Sequence, residues 1–311
     1  MARFLLRKLL FVFVSLFVLA TATFFLMKAI PGDPFMSEKA PPPEIRANLL
    51  KYYGLDKPLH TQYLNYIKQV ATFDLGVSMR WQGRTVNGII SGSFGNSLKL
   101  GLCAIVVAVT VGVALGTVAA LRHRKLMDNI AMLVAVLGVS VPSFVMATLL
   151  QFVFAGKLRL FDVAGLNDPM DYVLPSLALA FAPIAFIARL TRSTMLEVMS
   201  SDFIKTAKSK GLSGAVITIR HALRNAILPV VTYLGPLTTG VITGSLVIER
   251  IFGIPGLGKH FVESVANRDY TLIMGLTLFY GLILMVARFL TDVAYVFVDP
   301  RIKLNGGKEK A

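Results

Sequence analysis

One cysteine, Cys103, is all the thiol chemistry in this sequence, which excludes a disulfide framework or a multi-cysteine metal site within the chain. Histidine is nearly as scarce. His60, His123, His221 and His260 form no serine–histidine–acid arrangement. His260 and Glu263 are three apart and offer two ligands, where structural zinc sites take four. The residues supply no enzyme active site, so the chain is read as non-enzymatic. Charge is sparse too, at 16% of residues against about 25% in a soluble domain. Acidic groups are the scarcest part of it: 17 Asp and Glu stand against 32 Lys and Arg, a net charge of +15. Low-complexity tracts and clear internal repeats are absent, so one domain accounts for nearly all 311 residues.

What the sequence has in quantity is apolar residue, 55% of the total, with a mean hydropathy of +0.68. It is blocked into six charge-free windows: 9–27, 100–121, 129–156, 172–188, 225–248 and 270–287. Crossing a bilayer takes roughly 20 mostly apolar residues, and backbone groups in lipid must be bonded within the segment, so each window predicts a helix. The expected fold class is all-α, a polytopic membrane protein with six transmembrane helices. The first window follows Arg3, Arg7 and Lys8 and contains Ala20-Thr21-Ala22, which imitates a signal peptide. Its apolar stretch runs well past that tripeptide and five more windows follow, so it is read as a retained first span.

The basic excess is topological and does not predict nucleic-acid binding. Three Lys or Arg precede the first window, three lie in 122–125, six in 192–224 and four after 299. The two short connections of opposite side hold two each: Lys157 with Arg159, and Lys259 with Arg268. Sixteen against four places both termini in the cytoplasm and the basic loops against the lipid surface.

The expected organisation is 1–30 for the N-terminus and first span, 31–96 for an extracytoplasmic segment, and 97–311 for the remaining spans with a cytoplasmic segment at 200–228. Pro31-Gly32-Asp33-Pro34 is a rigid exit turn. Within 31–96, residues 44–53 place Ile45, Leu49, Leu50 and Tyr53 on one helical face, and Tyr63, Tyr66, Ile67 and Val70 mark a second helix. Trp81, the only tryptophan, reads as an interfacial belt residue. Ser140-Val141-Pro142-Ser143 interrupts the third window, Pro175 and Pro183 the fourth, and Pro236, Thr238, Thr239, Thr243 and Ser245 the fifth. Such residues suit packed helix interfaces or a polar path between helices. Ser140, Ser143, Thr239, Thr243 and Val247 are the candidate path residues. Arg288 and Asp292 are four apart and can pair on one face of the last helix.

Residues 253–259, Gly-Ile-Pro-Gly-Leu-Gly-Lys, have the spacing of a phosphate-binding loop. They lack its context: a membrane helix precedes them and His260 stands where Ser or Thr would bind magnesium. The polar stretch 202–229 carries more information. Ser200, Ser201 and Asp202 can cap a helix; Phe203 and Ala207 share one of its faces; Gly211 can end it in a left-handed turn; Ser213 can cap the next, with Val216, Ile217, Ile219 and Leu223. Two short helices meeting at a glycine on the cytoplasmic side suit a groove on a partner. The plainer reading is an amphipathic hairpin on the inner leaflet.

This stretch resembles the "EAA" loop of the membrane subunits of ABC-type importers. Lys205-Thr206-Ala207 stands at Glu-Ala-Ala, and Gly211 and Leu228-Pro229 match the pattern's glycine and closing Leu-Pro. Lys205 and Thr206 depart from it, as does a longer gap from glycine to proline. Those departures look like the peptide-importer branch. So do Pro31-Gly32-Asp33-Pro34, Asp74-Leu75-Gly76, Val141-Pro142-Ser143-Phe144, Glu249-Arg250-Ile251-Phe252 through Pro255-Gly256-Leu257-Gly258, Arg268-Asp269-Tyr270 and Asp299-Pro300-Arg301. A span at the start followed by a long outer loop is similar to the first ("B") permease of oligopeptide and dipeptide importers. The resemblance implies a type I-like permease fold and inward passage of peptides. It implies a second homologous permease, two ATP-binding cassette subunits that hold ATP and magnesium, and an extracellular or periplasmic solute-binding protein. No cofactor is expected in this chain. Lys205, Thr206, Ala207, Gly211 and Leu212 would couple to the ATPases, and Glu249, Pro255, Gly256 and Gly258 would form an outer loop or gate. An importer of another solute, such as a nickel chelate or a sugar, or a secondary transporter, remains open here.

Overall fold

The computed structural model describes residues 2–30, 34–35, 41–81 and 83–298, with backbone alone at 2–5, 239, 242–244 and 291–298. Among these residues the architecture is helical, and the only strand-like pairing is a bridge between Val77 and Thr85. The helices are α1 (Ala2–Ala29), α2 (Pro43–Tyr52), α3 (Leu59–Ala71), α4 (Val86–Leu121), α5 (Leu126–Ser140), α6 (Ser143–Leu150), α7 (Val173–Met199), α8 (Asp202–Ser209), α9 (Gly214–Val216), α10 (Arg224–Ala226), α11 (Leu228–Ile251), α12 (Leu257–Ala266) and α13 (Tyr270–Val298). Wider π turns continue α6 over Gln151–Lys157 and join α9 to α10 over Ile217–Leu223. The Pro31-Gly32-Asp33 part of the exit turn and Asp299-Pro300-Arg301 lie outside the described residues.

All six apolar windows fall on helix. Among the described residues, four segments are long and apolar enough to cross a membrane: Leu6–Ala29, Val86–Leu121, Pro169–Met199 and Tyr270–Leu290. A fifth follows if the pair Leu126–Ser140 and Ser143–Lys157 is one span. That pair divides the helix expected over 129–156 at its Ser140-Val141-Pro142-Ser143 interruption, and the halves meet at 107°. The cause is local. The Pro142 ring crowds Val141 out of the helical region and into an extended conformation, at φ −91° and ψ 120°. Pro142 then stands as the N-cap of α6, at φ −57° and ψ 141°.

The chain forms two compact units. One comprises residues 1–95 with 256–286. In it α3 docks on α1 through aromatic rings: Phe24 lies 5.4 Å from Tyr63 and 5.6 Å from Tyr66. The Tyr63 hydroxyl pairs with Thr21 Oγ1 at 2.8 Å. Val86, Ile89, Ile90, Leu257, Leu272 and Leu276 form its buried apolar cluster. Asp269 is its polar anchor. The buried carboxylate accepts from Leu272 N at 3.1 Å, capping α13, and from Met79 N at 3.1 Å, Arg80 N at 3.3 Å and the Ser78 hydroxyl. The Asp74-Leu75-Gly76 motif is a turn. Asp74 Oδ1 accepts from Gly76 N, Asn87 Oδ1 accepts from Leu75 N, and Gly76 sits at φ +82°.

The other unit comprises residues 96–255 with 287–311. Its core gathers Leu100, Ala104 and Ala108 of α4, Leu174, Ala178 and Ile187 of α7, and Val230, Leu237 and Ile248 of α11. α7 is the spine. Gly112 and Gly116 of α4 and Gly138 of α5 face it so closely that a Cβ on Gly116 would lie 2.5 Å from the Ala188 carbonyl oxygen, and one on Gly138 2.6 Å from Ala185 Cβ. Small residues allow this approach of helix backbones where apolar burial against lipid gives little drive.

Candidate coupling site

α7 leads directly into the polar 200–228 segment, so what fixes α7 also fixes that segment's origin. At the start of α5, Asp128 is almost wholly buried and accepts from Arg192 of α7 through Nε at 2.5 Å and Nη2 at 2.8 Å. Arg124 N adds a third donor at 2.9 Å, and His123 Nδ1 lies at 3.2 Å. The α4–α5 connection is tight, with Arg124 at φ +62°. A two-pronged guanidinium–carboxylate pair fixes orientation as well as distance. It ties the base of α5 to α7.

The segment folds back on the end of α7. Thr194 Oγ1 donates to the Ala226 carbonyl at 2.9 Å. Met195, Ile204, Ala207, Ile217, Ala222 and Ala226 form a buried cluster with Ala120. Ser201 is the N-cap of α8, at φ −70° and ψ 156°. The helix ends at Gly211, which holds φ +74°. Gly211 N donates to Lys208 O at 3.0 Å and Leu212 N to Ala207 O at 3.3 Å. These two reverse bonds form a Schellman closure, which requires the left-handed residue. Ser213 then caps α9, its hydroxyl accepting from Val216 N.

Of the residues assigned to coupling, Lys205, Thr206, Gly211 and Leu212 are exposed, whereas Ala207 is 5% exposed and packs within the chain beside Ile204. The apolar side chains left outside are Phe203 (46%), Leu212, Val216 and Ile219 (67%). Lys205, Lys208 and Lys210 are exposed among them, Lys205 pairing with Asp202 at 2.8 Å. Sequence reasoning missed Ile204 and the Asp128–Arg192 pair. The available signal was an isolated carboxylate at an otherwise cationic end of two apolar windows.

The other candidates are dispersed. Ser140 and Ser143 flank the α5–α6 break, Ser140 exposed and bonded to its own helix at Val136 O (2.9 Å), Ser143 half-buried. Val247 is exposed, while the side chains of Thr239, Thr243 and Asp292 lie outside the described residues. Glu249 is buried at the end of α11, where Ile254 N closes onto its carbonyl at 2.8 Å. Pro255 is exposed, and Gly256 and Gly258 are buried. Gly253 ends α11 and Gly256 is the N-cap of α12, so the glycine-rich stretch joins two helices.

A family model described as the binding-protein-dependent transport system inner membrane component matches residues 112–304. A model for the N-terminal part of such membrane components matches residues 1–100. The dipeptide transport system permease protein DppB of Bacillus subtilis is 50% identical over 305 residues, 98% of this chain and 99% of that protein. The oligopeptide transport system permease proteins OppB of Salmonella typhimurium and Haemophilus influenzae are 45% and 44% identical, each over 97% of this chain and 100% of that protein. Among solved structures, an amino acid ABC transporter aligns with a TM-score of 0.52 at 18% identity, covering 67% of this chain and 94% of that one. The inward-facing MetNI methionine ABC transporter aligns with a TM-score of 0.55 at 13% identity, covering 68% and 96%. These two share the fold. The chain belongs to the binding-protein-dependent transport system inner membrane component family, the multi-pass permeases of ABC transporters.

Proposed function

We propose that this chain is a membrane-spanning subunit of an ATP-driven importer that passes dipeptides or oligopeptides into the cell. Its relatives named for dipeptide and oligopeptide transport align over nearly its whole length, and this observation carries the substrate class. ATP hydrolysis belongs to two separate cassette subunits seated on 200–228. The closed α8–Gly211–α9 turn supports that role: it offers a firm corner with apolar side chains and lysines facing outward. In this reading the chain crosses the membrane six times, α11 included, with both termini cytoplasmic and the 31–96 segment outside. A second homologous permease completes the path, and an extracytoplasmic binding protein delivers the peptide. Ser140, Ser143, Thr239, Thr243 and Val247 face that second permease, and Glu249 through Gly258 serve as the outer gate. Alternating access moves the path between the two sides.

The test is uptake of labelled peptide by proteoliposomes holding the chain with a second permease, the two cassette subunits and the binding protein. Uptake is expected to require internal ATP and to persist when ion gradients are collapsed. Uptake driven by a proton or sodium gradient without ATP overturns the assignment.

A further inference from the structure

The outer face carries a second built feature. In the unit of residues 1–95 and 256–286, a wide-mouthed cleft of about 550 Å³ is lined by Arg80, Trp81, Arg84, Lys259, His260 and Glu263. We propose that this cleft receives a carboxylate-bearing surface of the extracytoplasmic binding protein, which rests on the importer reading above for its partner and for the side it faces.

The cleft is lined by three fixed cations against one carboxylate, Glu263, and with the buried Asp269 carboxylate behind the loop one positive charge remains in excess. Burial pushes the His260 imidazole below its ordinary value, so it is neutral at pH 7 and leaves that balance unchanged. The excess therefore attracts anions, and it is exposed at Arg84 and Lys259, where an approaching charge meets it first.

The loop residues 78–81 and 84 are tied down at several points. Asp269 holds the Ser78 hydroxyl and the amides of Met79 and Arg80. Ser78 Oγ in turn accepts from Trp81 N at 2.9 Å. Ser78 N donates to Arg84 O at 3.0 Å across the Val77–Thr85 bridge, and Arg80 Nε donates to Asn267 O at 2.8 Å. Such a loop presents its cations without a large ordering penalty on binding.

The floor of the cleft is aromatic. Trp81 meets the His260 ring edge-on at 4.6 Å and remains half-exposed. The buried His260 Nδ1 has no hydrogen-bond partner among the described residues. Tryptophan and arginine are the side chains that anchor protein interfaces. A single open wall suits a protruding loop of a protein better than a small solute, which needs enclosure on most sides.

The experiment measures ATP-dependent uptake by the reconstituted complex against binding-protein concentration, for the unaltered chain and for Arg84→Glu, Lys259→Glu and the double variant. Neither altered side chain anchors the loop, and Arg84→Lys serves as the charge-preserving control. Exposed interface charges act mainly on association rate and its salt dependence. The double variant should raise the half-saturating concentration about tenfold, keep the plateau within about twofold, and flatten the salt dependence. Arg84→Lys should follow the unaltered curve. An unchanged half-saturating concentration and salt slope in the double variant overturns the docking assignment. So does an effect confined to peptide concentration at saturating binding protein, which makes the cleft a peptide site, or one that tracks the anionic lipid content of the vesicles. If binding protein does not stimulate even the unaltered complex, the importer reading itself falls, which separates the two failures.

Discussion

Asp128 holds a carboxylate out of solvent with Arg192, an amide and an imidazole around it. Burying that charge is tolerable only because its partners are in place. Asp128→Ala leaves the guanidinium of Arg192 mostly covered and without its acid, and breaking a buried pair costs about 3–5 kcal/mol. Arg192 keeps a side-chain exposure of 23%, so water recovers part of this and a cost below that range, about 2–3 kcal/mol, is expected. Thermal unfolding of the purified complex should show it as a lowered midpoint for Asp128→Ala and a smaller drop for Asp128→Asn, whose amide oxygen still accepts. Equal midpoints for Asp128→Ala and the unaltered chain would remove the pair from any structural account. This residue also marks a limit of sequence reading. Its charge was visible, but its partner lies 64 positions away, and no periodicity connects the base of one helix to the end of another.

At the scale of elements, the α8–α9 corner was legible because capping is local. Gly211 and Ser213 each act on residues within one turn, so their roles follow from residue type and spacing; Ser201 stands at the N-cap position of α8, but its hydroxyl donates back to Val198 O at 2.6 Å and caps nothing. The inward face was less legible. Phe203 and Ala207 share a helical side, yet packing chose Ile204 with Ala207 and left Phe203 outside, a choice set by Met195 and Ile217 on neighbouring elements. Trp81 shows the same limit: read alone it is a belt residue, but it packs on His260 from a distant helix. α4 also begins at Val86, well before its charge-free window, because Lys99 and the glycines, serines and asparagines among 87–97 do not stop a helix whose Ile89 and Ile90 are buried. The corner itself is testable. An L-residue in the left-handed region loses about 1–2 kcal/mol relative to glycine, while asparagine tolerates that region best. A Cβ at Gly211 meets nothing within 4 Å, so backbone conformation alone separates the variants. Gly211→Val should leave the spans folded but reduce ATPase association and lower peptide carried per ATP hydrolysed. Gly211→Asn should retain most of both. The corner has no coupling role if Gly211→Val copurifies with its ATPases and transports at the unaltered ratio.

For the whole molecule, the arrangement across the bilayer decides whether the coupling corner and the basic cleft lie on opposite sides. Lysine and arginine in short loops resist translocation, whatever the net charge of the protein. The 122–125 and 192–224 connections are rich in them, and the connection holding Lys259 and Arg268 is poor. Helix length agrees, since α7 and α13 each carry enough apolar residues to cross. α11 is the exacting case. Pro236 lies inside its 24 residues, and a ring with no amide to donate can bend a helix there. If α11 turned back inside the membrane, Lys208 and Lys259 would share one side. With Cys103, which is exposed, first replaced by alanine, single cysteines at Lys57, Lys125, Lys208 and Lys259 separate the alternatives, all four positions being exposed. A membrane-impermeant maleimide added to whole cells should label Lys57→Cys and Lys259→Cys, and should reach Lys125→Cys and Lys208→Cys only after the membrane is opened. Labelling of Lys208→Cys in intact cells would invert the topology. Protection of Lys259→Cys would make α11 re-entrant and place the basic cleft on the same side as the ATPases.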